Sequence, residues 1–141
     1  MPANILIVDD SKVMRQMIKR TINMAGLDYN EIYEAGNGIE AFAQLAQHEI
    51  GVVILDINMP VMNGVQFLER MHDDPRLCNV PVVIASTEGS ETRIDDLMHK
   101  GAQGYLRKPF QPEQLRDTLT PLLGVREEGA PVFDASDDTA F

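Results

Sequence analysis

Cysteine is almost absent. The 141-residue chain holds one, Cys78, so it can form no internal disulfide and no thiolate cage for a metal. Cys78 itself reads as a small apolar residue near the surface. Long apolar runs are missing too, and none reaches the length that spans a bilayer. No charged-then-apolar leader precedes the first strand: Met1-Pro2-Ala3-Asn4 runs straight into it, which predicts a cytoplasmic protein without membrane insertion. Positive charge is scarce. Twelve Lys and Arg stand against 22 Asp and Glu, a formal net charge of −10. Phosphate backbones demand a basic face, so nucleic acid is not an expected partner. An acid excess suits a hard cation or a basic partner surface, and also plain solubility. The three histidines, His48, His72 and His99, lack ligand spacing. No glycine-rich loop of dinucleotide or P-loop type occurs.

What is present centres on Val52-Val53-Ile54-Leu55-Asp56-Ile57-Asn58-Met59-Pro60. Four apolar residues, three of them β-branched, read as a strand buried on both faces. The strand ends in a carboxylate. In open α/β sheets that carboxyl edge is where ligands bind. Taken alone, Asp56 could equally be a helix cap or a turn former. The rest of the chain decides between these.

Ile5-Leu6-Ile7-Val8 is a second buried strand and ends in Asp9-Asp10. Ser11 can cap the following helix, whose apolar stripe comprises Met14, Met17, Ile18, Thr21, Ile22 and Ala25. Lys12, Arg15, Gln16, Lys19 and Arg20 take its other face, and Gly26 ends it. Glu31 to Ala35 is a more polar strand, expected near a sheet edge. Asn37 and Glu40 form a capping pair for a second helix that buries Ala41, Phe42, Leu45 and Ala46. Gly64, Phe67, Leu68 and Met71 mark a third helix, ended by Asp73-Asp74-Pro75. Pro81 to Ser86 is a fourth strand. Ile94, Leu97 and Met98 define a fourth helix closed by Gly101, and Gly104 to Lys108 a fifth strand. Pro112 opens a fifth helix with Leu115, Thr118, Leu119, Leu122 and Leu123 inward. Strand alternating with helix five times predicts an α/β fold: a doubly wound, five-stranded parallel sheet of order 2-1-3-4-5, flavodoxin-like. The domain is expected over residues 1–123. Residues 124–141 hold five acids against Arg126 alone and read as a disordered acidic tail. Val132-Phe133 or Phe141 is a candidate docking element within it.

In that order the first and third strands are neighbours, which brings Asp9, Asp10 and Asp56 to one edge. Three carboxylates repel unless a cation joins them, and an oxygen-only set suits Mg²⁺. The backbone carbonyl of Asn58 is a further candidate ligand. The fourth and fifth strands deliver Ser86 and Lys108 to the same edge, a hydroxyl and an ammonium suited to a phosphoryl group.

These residues resemble those of a response-regulator receiver domain, the CheY-like phosphoacceptor of two-component signalling. The matching motifs are Val8-Asp9-Asp10-Ser11, Asp56-Ile57-Asn58-Met59-Pro60, Gly64, Pro81 to Ser86, and Gly104-Tyr105-Leu106-Arg107-Lys108-Pro109-Phe110. The resemblance covers about residues 3 to 123. It implies that Asp56 accepts a phosphoryl group from a histidine kinase, a histidine phosphotransfer protein or a small phosphodonor. It implies direct Mg²⁺ ligation by Asp10, Asp56 and the Asn58 carbonyl, with Asp9 acting through water; Mn²⁺ or Ca²⁺ may substitute. Ser86 and Lys108 would grip the phosphoryl oxygens, Tyr105 would be the switch aromatic, and Lys108–Pro109 would be cis. The surface of the fourth helix, fifth strand and fifth helix would change state and bind an unnamed target protein. The chain would be a signalling phosphoacceptor, not an enzyme acting on external substrates. Two features depart from the usual pattern: Ser86 stands where Thr is commoner, and Thr87 where a small residue is usual. Two other functions compete. One is a phosphate-independent interaction module on the same fold. The other is a haloacid-dehalogenase-type phosphatase, which needs a second Asp where Asn58 stands.

Overall fold

The computed structural model describes residues 3–57, 64–87 and 91–123, without the side chains of Glu91 and Arg93. Ten elements alternate along the chain: β1 (Ala3–Val8), α1 (Lys12–Ala25), β2 (Tyr29–Ala35), α2 (Gly38–Gln47), β3 (Val52–Leu55), α3 (Gly64–Asp73), β4 (Val82–Ser86), α4 (Glu91–His99), β5 (Gly104–Arg107) and α5 (Pro112–Leu123). The strands form one parallel sheet in the order β2-β1-β3-β4-β5, as expected from the sequence.

Successive side chains of a strand point to opposite faces, so a continuous apolar run needs a core on each side. The sheet has both. On β1, Leu6 and Val8 join one core with Phe67, Leu68, Met71 and Leu97 from α3 and α4. Ile5 and Ile7 join the other with Ile18 and Ile22 of α1 and Leu115 and Leu119 of α5. All four β1 residues are fully buried, each contributing about 2 kcal/mol of hydrophobic transfer.

The helix signals act as their chemistry requires. The Ser11 hydroxyl accepts the Met14 N–H, and Gly26 leaves α1 at a φ of +71°, a left-handed conformation that favours glycine. Asn37 accepts the Glu40 N–H, while the Glu40 carboxylate reaches back to the Gly36 N–H. That second bond lands one residue before the cap and leaves both groups satisfied.

Several local expectations need correction. Met17, assigned to the buried stripe of α1, is 50 % exposed, and Ala46 of α2 is exposed as well. Met98 is also more than a third exposed. Arg15, assigned to the solvated face of α1, is partly buried. β2 begins two residues earlier than expected, because Tyr29 pairs with Ala3 across a register shift between Ala3 and Ile5. The acidic tail lies outside the described residues.

Candidate functional site

Parallel pairing fixes the site. Val8 lies opposite Leu55 in the β1–β3 register, so the next residues, Asp9 and Asp56, leave the sheet side by side. Backbone hydrogen bonds hold that exit: Asp56 N–H donates to the Val8 carbonyl, and Asp9 N–H to the Ala35 carbonyl. Ser86 ends β4 opposite Arg107 of β5, and the Lys108 N–H donates to the Ser86 carbonyl at 2.7 Å. Four strands thus deliver their terminal polar residues to one edge.

Asp9, Asp56 and Ser86 are the polar residues buried among the described residues, at 2 %, 8 % and 0 % exposure. Buried carboxylates need a counter-charge. Lys108 supplies it. Its Nζ donates to Asp9 Oδ2 at 2.7 Å and stands 3.7 Å from Asp56 Oδ1. The lysine is therefore shared between the two carboxylates and held more closely by Asp9. Asp9 Oδ1 accepts the Ser11 N–H, tying the carboxylate to the start of α1. Asp10 is exposed, yet one oxygen from each of Asp9, Asp10 and Asp56 lies within 4.8 Å of the others. Three hard oxygen donors of net charge −3 facing one ammonium fit a small divalent cation, and Mg²⁺ suits such a partly carboxylate set.

Glycine at position 64 is a packing requirement of this site. A Cβ there would lie 2.4 Å from Ile57 Cα and 2.9 Å from the Asp56 carbonyl oxygen. The Gly64 N–H also donates to the Ile57 carbonyl. α3 therefore begins directly against the backbone that carries Asp56.

Tyr105 of β5 is partly buried against the core of α3 and α4, while the neighbouring Ser86 is fully buried and Thr87 is exposed. The Lys108–Pro109 peptide is cis, as expected. Asn58 lies outside the described residues. Sequence reasoning missed Arg15. Its Nη1 donates to the Asp9 carbonyl at 2.6 Å and its Nε to Glu34 at 2.9 Å. The signal available was Glu34 next to the end of β2, an acid between Tyr33 and Ala35 on the half of the strand that turns inward. Burial pushes the Glu34 carboxyl up, but the hydrogen bonds and charges of Arg15 and Lys19 outweigh it, so it sits below the ordinary 4.5.

Residues 5–120 match the family described as the response regulator receiver domain. This chain belongs to that family. The chemotaxis protein CheY1 of Helicobacter pylori is 36 % identical over 124 residues, spanning 87 % of this chain and 98 % of the relative. Among solved structures, the Vibrio cholerae chemotaxis protein CheY4 superposes with a TM-score of 0.77 at 37 % identity, covering 87 % of this chain and 100 % of that one. The CheY chain in the CheX–CheY–BeF₃–Mg complex of Borrelia burgdorferi superposes with a TM-score of 0.77 at 29 % identity, covering 86 % of this chain and 89 % of that one. The sheet order and the acidic cluster are those of a CheY-like receiver domain. Among the described residues of this receiver, no helix is long and apolar enough to cross a membrane.

Proposed function

We propose that this receiver is a phosphorylation switch in which Asp56 accepts a phosphoryl group from a histidine kinase or histidine phosphotransfer protein. The observation that carries the reading is the shared lysine: Lys108 reaches both Asp9 and the carboxylate at the end of β3. Asp9, Asp10 and Asp56 would hold Mg²⁺ together with the Asn58 carbonyl. A bound Mg²⁺ supplies charge neutralisation between the carboxylates and the phosphoryl oxygens.

The chain's own residues do the rest. An Asp56 oxygen attacks phosphorus, an O–P bond forms, and the donor's N–P bond breaks with its electron pair on the leaving imidazole nitrogen. Catalysis in such transfer is positioning and electrostatics. Burial of Asp56 limits its rotamers, and Lys108 and Ser86 offer donors for the phosphoryl oxygens. Drawing Ser86 toward the new phosphate alters the space beside Tyr105, and Thr87 borders the entry. The α4-β5-α5 surface then changes its affinity for a target protein, a population shift between two states.

Intact mass after incubation with acetyl phosphate and Mg²⁺ tests the reading. One phosphoryl adduct is expected for the wild type with metal, and none for Asp56→Asn or without metal. Beryllofluoride, a stand-in for the phosphoryl group, guards against rapid hydrolysis. A wild-type protein that gains no adduct and binds no beryllofluoride would overturn the assignment.

A further inference from the structure

Arg15 of α1 ties two strand ends together beside the carboxylate site. Its Nε donates to Glu34 Oε1, near the end of β2, at 2.9 Å. Its Nη1 donates to the Asp9 carbonyl, just past the end of β1, at 2.6 Å. Lys19 donates to the other Glu34 oxygen at 3.1 Å, so the carboxylate that anchors Arg15 is itself held on both sides. A guanidinium is planar, with its donors in a rigid fork. Anchoring Nε on β2 therefore sets the direction in which Nη1 points.

The bond to Asp9 is made to its backbone, not to its carboxylate. Each polar atom of this buried residue has a partner. Its N–H donates to Ala35, Oδ1 accepts from Ser11, Oδ2 accepts from Lys108, and the carbonyl accepts from Arg15. The peptide group is planar, so holding the Asp9 carbonyl oxygen orients the bond that leads to Asp10. Asp10 is exposed, yet one of its oxygens lies within 4.8 Å of an oxygen of Asp9 and one of Asp56. An exposed side chain has little packing to keep it there. Its place among the carboxylates depends on the peptide before it.

We infer that Arg15 is a positioning residue of the divalent-cation site: anchored on Glu34, it holds the Asp9–Asp10 peptide so that Asp10 faces Asp9 and Asp56. The inference rests on the Mg²⁺ site proposed above and adds the residue that shapes it. Charge and geometry make opposite demands here. A guanidinium near a cation site repels the cation, so its charge alone would make removal tighten binding. Holding a carboxylate in place makes removal weaken binding. Glu34 already offsets the charge of Arg15. Groups that orient metal ligands are typically worth about 10–100-fold in metal affinity. Geometry therefore decides the sign, and a lysine, which keeps the charge but lacks the fork, cannot replace Arg15.

Calorimetric Mg²⁺ titration of the full chain tests this in wild type, Arg15→Lys, Arg15→Gln and Lys19→Gln, each below its own melting temperature. Both Arg15 variants should bind Mg²⁺ about 10-fold more weakly than wild type. Lys19→Gln removes a charge from the same cluster but leaves the Arg15 bonds in place, and it should match wild type. A purely structural arginine would give variants that melt earlier yet bind Mg²⁺ normally while folded, and that result would overturn the inference. Tighter binding by Arg15→Gln beside wild-type affinity in Arg15→Lys would also overturn it, because Arg15 would then act through charge alone. Should Arg15→Gln fail to fold, the affinity of Arg15→Lys decides. A wild type that binds no Mg²⁺ would overturn the metal site and the inference together. A wild type that binds it, with all variants alike, would overturn the inference and leave the metal site standing.

Discussion

At the scale of single residues, the site is a problem of too few cations. Lys108 is shared by Asp9 and Asp56, both buried, with Asp10 close by. Removing one member of a buried ion pair leaves an uncompensated charge, at a cost of about 3–5 kcal/mol. Lys108→Met should therefore lower the melting temperature in chelator by several degrees. Added Mg²⁺ should raise it more in the variant than in wild type, since the metal then has no ammonium to compete with. Equal Mg²⁺ responses would mean that the lysine and the metal do not share the carboxylates. Ser86 and Thr87 make a second residue-scale contrast, one fully buried and the other exposed. Ser86→Ala should weaken the beryllofluoride-induced shift of the Tyr105 resonance more than Thr87→Ala does. The opposite order would move the switch hydroxyl to Thr87.

At the scale of elements, most of the fold was legible because each helix and strand carries its own punctuation. Ser11, Gly26, Asn37 and Pro112 stand where their chemistry places them. Asn37→Ala removes the cap of α2 and should cost about 1 kcal/mol, read from the urea midpoint. Gly64→Ala should cost more, about 1–3 kcal/mol, because the added methyl meets backbone rather than a movable side chain. It should also slow phosphorylation, since the strain falls on the Asp56–Ile57 backbone. Periodicity locates the centre of a buried stripe but not its width. Ile18 and Ile22 were therefore readable as core, while Met17, at the stripe's margin, was not. Asp9 and Asp56 were readable because each follows an apolar strand, and Lys108 because it ends the short fifth strand. The sharing of Lys108 was not, because it depends on side-chain reach across 99 positions of sequence. Arg15 escaped for the same reason: its partners lie on β2 and on the backbone after β1.

At the scale of the whole molecule, the Glu34 cluster joins α1 to the edge strand β2. Its folded value lies below its unfolded one, so the cluster contributes its full stability above about pH 4.5 and loses it as pH falls through the lowered native value. Glu34→Gln should be less stable than wild type at neutral pH, and the two denaturation curves should converge in acid. A stability gap that persists unchanged at low pH would assign the loss to packing instead.

Among the described residues β5 has a single neighbour in the sheet, β4, and is the last strand. It also places Lys108, the one lysine at the carboxylate pair among the described residues. During synthesis the acids are therefore made before their counter-charge. A nascent chain ending before position 108 carries the three carboxylates but not Lys108, the ammonium that faces Asp9 and Asp56. Detachment of four edge residues from a finished molecule recreates that condition, so the border of the sheet governs the chemistry at its centre.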